Sequence, residues 1–488
     1  MEQFVATVAL IGIVIVVASL LSGIIERIGI PLVGAFLLLG ASLGPIGFGL
    51  IDIRLDSPEL RVLAILGLAL VLFSDAVTVD IKEVRERRRL VAVVLGPGTI
   101  FPALIIGLAA RWLLDVPTAG AAIIGAALAS TDPVLLRSVL RAPALPATAR
   151  VALRLESGMN DVMLLPIIVL ATATLTQAGP LGGQILGRHL LGLFVLGPAL
   201  GAAVGWAGIT LLATVRSRVG VRRDYESLYA LGLGFGAYAA AEAVGGSGFL
   251  AAFAAGLAIA ALDVELCDCF LEYGEATAEM LLLLTFVAFG TSLIWTGFSV
   301  ASVRTLLFAV IALATRTLVL YPVLTQLGVK GRDRKLIALF GPRGLSSLLL
   351  MLLPIFAGVV GADRWFMVVC LVVLLSLVIH GAIIGVFLRG GAQRRVAVTD
   401  AGTTEVTTGV PTAVAAAVTP PERVGIDEVR ELQRRGEPLV FVDSRASKSY
   451  NADDRQIAGA VRVPPDDAVR TATELRLAQH STLVVYCA

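Results

Sequence analysis

Long apolar segments recur along the first 390 residues of this chain, and they constrain its fold more than any other feature. A helix that crosses a bilayer needs about 20 mostly apolar residues, and about 13 segments approach that length. They are approximately 4–24, 30–50, 62–80, 90–113, 119–139, 151–175, 186–214, 226–243, 246–262, 276–296, 301–328, 335–357 and 364–388. Since 57% of the residues are hydrophobic, more than the roughly 45–50% of soluble proteins, we predict an all-α polytopic membrane protein.

Basic residues are distributed unevenly between alternate loops. If the N-terminus lies outside the cell, the inward loops and the segment after the last span carry 21 Lys and Arg residues, and the outward loops carry six. Cytoplasmic loops are enriched in Lys and Arg. We therefore predict a cell-membrane protein with its N-terminus outside and its C-terminal domain in the cytoplasm. Residues 4–24 are predicted to be a retained helix, because no signal-peptide cleavage site follows them.

The composition changes beyond residue 390. Residues 391–421 are rich in Thr, Val and Ala without a periodic apolar face, which predicts a linker. It would join a transmembrane domain at 1–390 to a soluble domain at 422–488. Two apolar strands are predicted in the latter, at 438–443 and 482–487.

Asp132 is a carboxylate in the middle of the fifth apolar segment. Charged side chains inside spanning helices usually face a cavity or a partner. Pro133 has no backbone N–H and disfavours helix in the residue before it. A break is therefore expected at Thr131–Asp132, and freed carbonyl oxygens beside a carboxylate would suit an alkali cation. The alternative is a simple proline kink with Asp132 at a helix end.

A second polar cluster, Glu156, Ser157, Asn160 and Asp161, lies at the start of the sixth segment. Glu156 and Asn160 are four residues apart, as are Ser157 and Asp161, so each pair shares one stripe of a helix. One helix face would then present two carboxylates together with an amide and a hydroxyl. The alternative is an N-terminal capping sequence near the cytoplasmic surface.

The twelfth segment is interrupted by Gly341, Pro342, Arg343 and Gly344. Gly and Pro break the helix, and Arg343 needs a buried anion, for which Glu156 is the predicted partner. Alternatively, Arg343 extends to the cytoplasmic interface. Interrupted helices in corresponding positions of two halves indicate inverted repeats with a binding site at their interface.

Taken together, these motifs resemble the NhaP-type antiporters of the first monovalent cation/proton antiporter family. The resemblance covers about residues 1–390. The segments that carry it are Glu-Ser-Gly-Met-Asn-Asp at 156–161, Ser-Thr-Asp-Pro-Val at 130–134, Gly-Pro-Arg-Gly-Leu-Ser at 341–346, Gly-Ser-Gly-Phe-Leu-Ala-Ala-Phe-Ala-Ala-Gly at 246–256 and Arg-Ile-Gly-Ile-Pro-Leu at 27–32. It implies an NhaA/NhaP-like fold in a homodimer, with no cofactor and no nucleic-acid partner.

The resemblance also implies roles for site residues. The ion ligands would be Asp161, Asp132, Ser157 and the backbone carbonyl of Thr131, and the site would be organised by Asn160 and a Glu156–Arg343 pair. The Asn at position 160 implies electroneutral exchange. Na⁺ is the expected ion, Li⁺ is a further candidate, and K⁺/H⁺ exchange is the closest alternative. A proton and a cation would compete for Asp161, so that alternating access becomes obligatory exchange and serves pH and sodium homeostasis.

The C-terminal part resembles a rhodanese-like domain. Val-Asp-Ser-Arg at 442–445 and Gln-Ile-Ala-Gly-Ala-Val-Arg-Val-Pro at 456–464 match two of its segments, with Gln456 in place of the usual His. Cys487 falls where the family has its nucleophile. The loop that would form an anion-binding nest after this cysteine is missing from this sequence, so the domain is expected to be incomplete and inactive in this chain. A truncated sequence and a naturally degraded domain are both open explanations. The rival hypothesis is a membrane-anchored sulfurtransferase, although an anchor needs far fewer spans.

Several isolated polar residues receive no role from the sequence. Arg316 and Glu242 lie in the eleventh and eighth segments, where they could pair with each other or line the funnel, and the sequence does not decide between these alternatives. His380 is expected to pack against a neighbouring helix. Asp75 and Asp80 are expected to lie at the membrane interface.

Overall fold

The computed structural model divides the chain into two compact units, Met1–Thr404 and Glu405–Ala488. It describes residues 12, 16, 20, 32–142, 144–176, 182–218, 223–262 and 268–401 of the first unit, and residues 429–430, 433–435, 439–445, 456–463, 471, 475 and 482–486 of the second. The first predicted span, at 4–24, therefore lies largely outside the described residues. The predicted rhodanese-like cysteine, Cys487, also lies outside them.

The described part of the first unit is built from helices, as predicted. In chain order they are α1 (Leu32–Leu43), α2 (Pro58–Val77), α3 (Ile81–Glu86), α4 (Arg88–Leu95), α5 (Pro97–Leu113), α6 (Thr118–Ala129), α7 (Pro133–Arg141), α8 (Ala147–Thr176), α9 (Gly183–Leu191), α10 (Gly197–Arg218), α11 (Arg223–Ala243), α12 (Gly248–Ala261), α13 (Asp268–Ala288), α14 (Val303–Gln326), α15 (Gly331–Leu339), α16 (Leu345–Phe356) and α17 (Ala362–Ala401). A π-helical turn, Gly192–Leu196, joins α9 to α10. Another, Phe289–Leu293, follows α13 and continues into a 3-10 helix, Ile294–Val300.

Within the described residues, eight helical segments are long and apolar enough to cross a membrane. They are Pro58–Val77, Arg88–Leu113, Thr118–Arg141, Ala147–Thr176, Gly183–Arg218, Met280–Val300, Val303–Gln326 and Ala362–Arg389. Three shorter apolar helices accompany them: Val33–Leu43, Gly248–Ala261 and Leu345–Phe356. The chain is therefore a multi-pass membrane protein, whereas the number of 13 spans and the orientation of the termini stay predictions.

The helices pack as two groups, one containing α1, α2 and α10–α13 and the other α5–α8 and α14–α17, with α2 against α8 where the groups meet. Because lipid gives no hydrophobic driving force between helices, close packing in membranes depends on small residues. A Cβ atom on Gly205 of α10 would lie 2.8 Å from the Cα atom of Ala255 in α12. Glycine there lets the two backbones touch.

The last helix, α17, extends to Ala401 and so continues past residue 390, where the linker was predicted to begin. The end of the apolar segment marks where a helix leaves the bilayer, and helical hydrogen bonding continues beyond that point. The rest of the predicted linker, 402–421, lies outside the described residues.

The described strands of the second unit form a parallel sheet with the order β2–β1–β3. They are β1 (Leu439–Asp443), β2 (Val461–Arg462) and β3 (Thr482–Tyr486), so two of them match the strands predicted from the sequence. At the end of β1 the buried Asp443 carboxylate accepts hydrogen bonds from Arg445 Nη2 at 2.7 Å and from the Tyr486 hydroxyl at 3.1 Å. The hydrogen bonds from Arg445 lower the pKa of Asp443 to about 2. The Asp-Ser-Arg motif thus ties adjacent strand ends, and the rhodanese-like assignment stays a prediction.

Candidate functional site

Two interrupted helices meet inside the second group of helices. The first break separates α6 from α7 at Ser130–Asp132, and the second separates α15 from α16 at Phe340–Gly344. The Asp132 N–H of one break donates to the Pro342 carbonyl oxygen of the other at 3.0 Å. Both interruptions predicted from the sequence are confirmed, and the first is more than a proline kink because Ser130 and Asp132 have extended backbones.

The Asp132 carboxylate caps the two helices that begin at these breaks. Its Oδ1 atom accepts from the backbone N–H groups of Val134 at 2.8 Å and Leu135 at 3.4 Å, at the start of α7. Its Oδ2 atom accepts from the Leu345 N–H at 2.6 Å, at the start of α16. Helix N-termini carry partial positive charge, so one buried carboxylate balances both. Direct binding of an ion by Asp132 stays a prediction.

Gly344 permits this double cap. A Cβ atom at position 344 would collide with Oδ2 of Asp132 and would lie 2.7 Å from its Cγ. The break therefore needs glycine at this position because the carboxylate occupies the space of a side chain.

We expect Gly344→Ala to destabilise the protein by about 1–3 kcal/mol, because overpacking displaces the carboxylate that caps α7 and α16. Thermal unfolding of the purified protein in detergent would show this as a lowered Tm. The matched control is Gly236→Ala in α11, where an added Cβ would meet nothing within 4 Å. Equal Tm values for the two variants would contradict the proposed constraint.

Arg343 binds the C-terminus of α6, on the other side of the first break from the capped N-terminus of α7. Its Nη1 atom donates to the carbonyl oxygens of Ala129 at 2.6 Å and Ser130 at 2.9 Å, at the C-terminus of α6. The side chain is only 1% exposed, which excludes the alternative that it extends to the interface. Its backbone N–H donates to Ser376 Oγ at 2.7 Å, and that hydroxyl lies 3.1 Å from His380 Nδ1.

Glu156 pairs with Arg316 of α14. Arg316 Nε lies 2.7 Å from Oε1 and Nη2 lies 2.5 Å from Oε2, with both side chains buried. The predicted Glu156–Arg343 pair is therefore wrong. Glu156 pairs with Arg316 because Gly341 leaves room for the Arg316 guanidinium. A Cβ atom at position 341 would lie 2.7 Å from Arg316 Nε. Arg316 Nη1 also donates to the Ala338 carbonyl oxygen near the end of α15 at 2.9 Å.

The four helix ends at the crossing are thus matched with charges of opposite sign. Asp132 lies at the N-termini of α7 and α16, Arg343 at the C-terminus of α6, and Arg316 at the C-terminus of α15, with Glu156 balancing Arg316. Backbone polar groups freed in a membrane interior are costly unless they find partners. These side chains supply the partners and stabilise the interruptions.

Asp161 and Asn160 on α8 contact the extended segment of the first break. Asp161 Oδ1 accepts a 2.5 Å hydrogen bond from Ser130 Oγ. Asn160 Nδ2 donates to Thr131 Oγ1 at 2.7 Å, whereas Asn160 Oδ1 is buried without a hydrogen-bond partner in the described part of the chain. Asp161 therefore presents a buried carboxylate, with an unused amide oxygen on the neighbouring residue.

The polar cluster of α8 lies well inside the helix. Glu156 is about two and a half turns from the first residue of α8, Ala147, so the alternative of an N-terminal capping sequence is excluded. Ser157 shares a stripe with Asp161, but its hydroxyl donates to the Arg154 carbonyl oxygen of its own helix at 3.3 Å. Its role as an ion ligand stays a prediction.

A cavity of about 370 Å³ lies between α2, α13, α7 and α8. It reaches Pro133 and Ser157, and its lining includes Asp75 of α2. Asp75 faces α8, since a Cβ atom on Gly158 would lie 3.4 Å from the Cβ atom of Asp75. The structure therefore places Asp75 where the two helix groups meet, beside the stripe that leads to Asp161. Its position at the membrane interface stays a prediction.

Residues 13–390 match the family described as sodium/hydrogen exchanger, transmembrane. This match covers well over half of the chain. The chain belongs to the sodium/hydrogen exchanger family. The predicted relationship to NhaP-type proteins is confirmed by its relatives. The K(+)/H(+) antiporter NhaP of Alkalimonas amylolytica is 25% identical over 385 residues, which cover 78% of this chain and 66% of that protein.

A second relative of this exchanger-family chain is the K(+)/H(+) antiporter NhaP2 of Shewanella sp. (strain MR-4). It is 28% identical over 377 residues, covering 75% of this chain and 63% of that protein. The chain thus spans about two-thirds of the length of these relatives. Among solved structures, the sodium proton antiporter MjNhaP1 from Methanocaldococcus jannaschii at pH 8 matches with a TM-score of 0.62 and 21% identity. The match covers 78% of this chain and all of that chain, so the two share a fold.

Sequence reasoning about this exchanger-family protein missed three contributions. The sequence suggests Glu242 as a partner for Arg316, whereas the structure pairs Arg316 with Glu156. The sequence also gives no sign that Asp75 lines a cavity. Ser130 lay inside a recognised motif, yet only the tertiary structure brings its hydroxyl to Asp161. An isolated arginine within an apolar span is a usable signal, because such a charge requires a buried counter-ion.

Proposed function

We propose that the chain is a secondary active antiporter that exchanges a monovalent cation for H⁺ across the cell membrane. The observation that carries this proposal is the buried Asp161 carboxylate at the crossing of two interrupted helices. Family membership and NhaP-named relatives support it. We further propose that the chain forms a homodimer in the bilayer and has its N-terminus outside. The positive-inside pattern supports this orientation.

Proton and cation compete for the same carboxylate in this proposal. A protonated Asp161 needs no cation, whereas an ionised one is stabilised by a cation that also contacts the neighbouring Asn160 Oδ1, a buried oxygen without a donor among the described residues. Hard oxygen ligands of this kind suit alkali cations. A buried carboxylate left charged and empty is costly, so the site changes access only when it carries one of the two ions.

The cation is proposed to be Na⁺ or K⁺. Na⁺ is supported by the name of the structural neighbour, a sodium proton antiporter, and by a relative over a shorter region, the Na(+)/H(+) antiporter NhaG of Bacillus atrophaeus. K⁺ is supported by the names of the relatives that match three-quarters of the chain. Carboxylate, amide and hydroxyl oxygens accept both ions.

The test is cation-dependent proton movement in proteoliposomes that contain the purified protein and a pH-sensitive dye. A pH gradient that collapses on addition of Na⁺, Li⁺ or K⁺ is the expected result and names the ion. Clamping the membrane potential with an ionophore should leave the rate unchanged if exchange is electroneutral. No response to any of the three cations between pH 5 and 9, in protein with a normal Tm, would refute antiport.

Ser157→Ala is expected to weaken the apparent cation affinity about fivefold while the maximal rate is retained. Ser157 lines the cavity, and within the described part of the chain its hydroxyl bonds the Arg154 carbonyl oxygen of its own helix. The hydroxyl can therefore turn toward an ion, and one such interaction contributes about 1 kcal/mol. The control is Ser217→Ala, because the Ser217 hydroxyl likewise bonds its own helix, at 2.9 Å from the Thr214 oxygen, but is exposed and outside the cavity. Equal affinities in both variants would remove Ser157 from the ion pathway.

A further inference from the structure

The cavity between α2, α13, α7 and α8 has a positively charged wall. Four of its lining residues are arginines: Arg137 and Arg141 on α7, and Arg150 and Arg154 on α8. Each pair is four residues apart, which places both members on the same face of their helix. The acidic lining residue in the described part of the chain is Asp75.

Two of these arginines bind other groups of the protein. Arg154 Nη2 bonds Glu83 Oε2 at 2.9 Å, and Arg150 Nη2 bonds two backbone carbonyl oxygens, those of Ala142 and Leu145, at 3.1 and 3.2 Å. Arg141, by contrast, makes no hydrogen bond or ion pair with any described residue. Arg137 also interacts with other groups of the protein, including the charge of Asp132. Four guanidinium groups therefore meet three carboxylates, those of Asp75, Glu83 and Asp132, and the wall keeps a net positive charge.

This arrangement is unfavourable without a counter-ion. Like charges four residues apart destabilise a helix, and arginines in the wall of a cavity that reaches Ser157 repel a cation that enters it. The positive-inside rule explains why basic residues lie near the cytoplasm, but it does not explain why they face one cavity. An anion in the cavity would offset the repulsion among these arginines.

We propose that this cavity binds a phosphate group, contacted by the guanidinium groups of Arg137 and Arg141 and facing those of Arg150 and Arg154. Guanidinium groups bind phosphate oxygens in pairs through charge-assisted hydrogen bonds. The volume of about 370 Å³ is that of a small-ligand site, and the Ser74 hydroxyl in its lining is a further donor. The phosphate comes from a soluble phosphate compound or from the headgroup of an acidic lipid.

A bound phosphate group would occupy the cavity that Ser157 also lines, and so it would slow exchange. This consequence rests on the proposed function, whereas the binding itself does not. Binding is therefore measured without transport, and a failure of antiport would leave the result of the binding experiment intact.

The first arm of the experiment follows the Tm of the full-length protein in an uncharged detergent against inorganic phosphate, with chloride at matched ionic strength. A ligand that binds only the folded state raises the Tm as its concentration exceeds Kd. We expect a saturable rise in the wild type. Arg141→Gln should raise the half-saturating phosphate concentration about tenfold, the loss of one charge-assisted contact, and Arg137→Gln combined with Arg141→Gln should abolish the response.

The matched control is the double variant Arg88→Gln and Arg89→Gln. Arg88 and Arg89 are exposed basic residues on the same predicted side of the membrane, and they lie outside the cavity lining. The control removes as much charge as the double cavity variant, so an unspecific effect of charge would appear in it. Arg141→Gln breaks no bond to a described residue, so it decides the outcome even if the double cavity variant does not fold.

The second arm places the same proteins in nanodiscs of phosphatidylcholine with or without phosphatidylglycerol. One outcome is that phosphatidylglycerol raises the Tm in a manner that depends on Arg141, while inorganic phosphate does not change the Tm. This result assigns the phosphate group to a lipid. A response to inorganic phosphate that depends on Arg141 assigns it to a soluble compound. The proposal is overturned if neither anion raises the Tm, or if Arg141→Gln responds as strongly as the wild type.

Discussion

Replacing Asp161 with asparagine is expected to abolish cation-dependent proton movement in proteoliposomes while the protein still folds. Asparagine has nearly the same shape and its side-chain oxygen can still accept the hydrogen bond from Ser130, so the contact at 2.5 Å can persist in relaxed form. An amide, however, does not gain or lose a proton at physiological pH, and it has no negative charge to stabilise a bound cation. We expect a loss of at least about 100-fold, because several kcal/mol of ion stabilisation disappear.

The control for this variant is Asp52→Asn, which removes an exposed carboxylate from the loop between α1 and α2 and should leave the rate unchanged. Tm values of all three proteins establish that they are folded. Exchange that persists in Asp161→Asn would exclude Asp161 as the shared binding group and would direct attention to other buried carboxylates.

Competition at Asp161 also predicts the pH dependence of exchange in the wild type. As pH falls, protons occupy the carboxylate, so the apparent KM for the cation should rise, by up to about tenfold per pH unit where the protonated form dominates. At high pH the KM should reach a constant minimum. Initial rates measured over a range of cation concentrations at each pH provide the test, and a KM that does not change with pH would argue against a single shared group.

Separating Glu156 from Arg316 is expected to cause the largest loss of stability. Both side chains are buried, and their two contacts are 2.7 and 2.5 Å long. Arg316→Gln would leave the Glu156 carboxylate unpaired and weaken the cap on α15, at a cost of about 3–5 kcal/mol. The double variant Glu156→Gln with Arg316→Gln should lose less than the sum of the single variants, with a coupling energy of at least about 2 kcal/mol.

The matched control is the same cycle with Arg343→Gln in place of Arg316→Gln. Arg343 is equally buried, but it bonds the carbonyl oxygens of Ala129 and Ser130, so its coupling to Glu156 should be less than half as large. Reversible or scan-rate-matched thermal unfolding in detergent gives the energies. A larger coupling for Arg343 would restore the pairing predicted from the sequence and refute the one in the structure.

Local chemistry in the sequence determined where the helices break. Pro133 removes a backbone donor, and Gly341 with Pro342 interrupts an apolar segment, so both breaks were predictable from single residues and their immediate neighbours. The apolar segments likewise predicted the multi-pass architecture, and the position of Asp161 within one of them indicated a functional carboxylate. Each of these inferences depends on residues close together in the chain.

The tertiary structure alone decided which charges meet. Two arginines were available to Glu156, and sequence separation does not distinguish them. The choice of Arg316 follows from packing, because Gly341 leaves space for its guanidinium while Arg343 turns to the end of α6. In the same way, Asp132 reaches Leu345, 213 residues away in the chain, only because the two breaks cross. The sequence shows which charged side chains and freed backbone groups need partners, and the packing of distant helices determines which partners they bind.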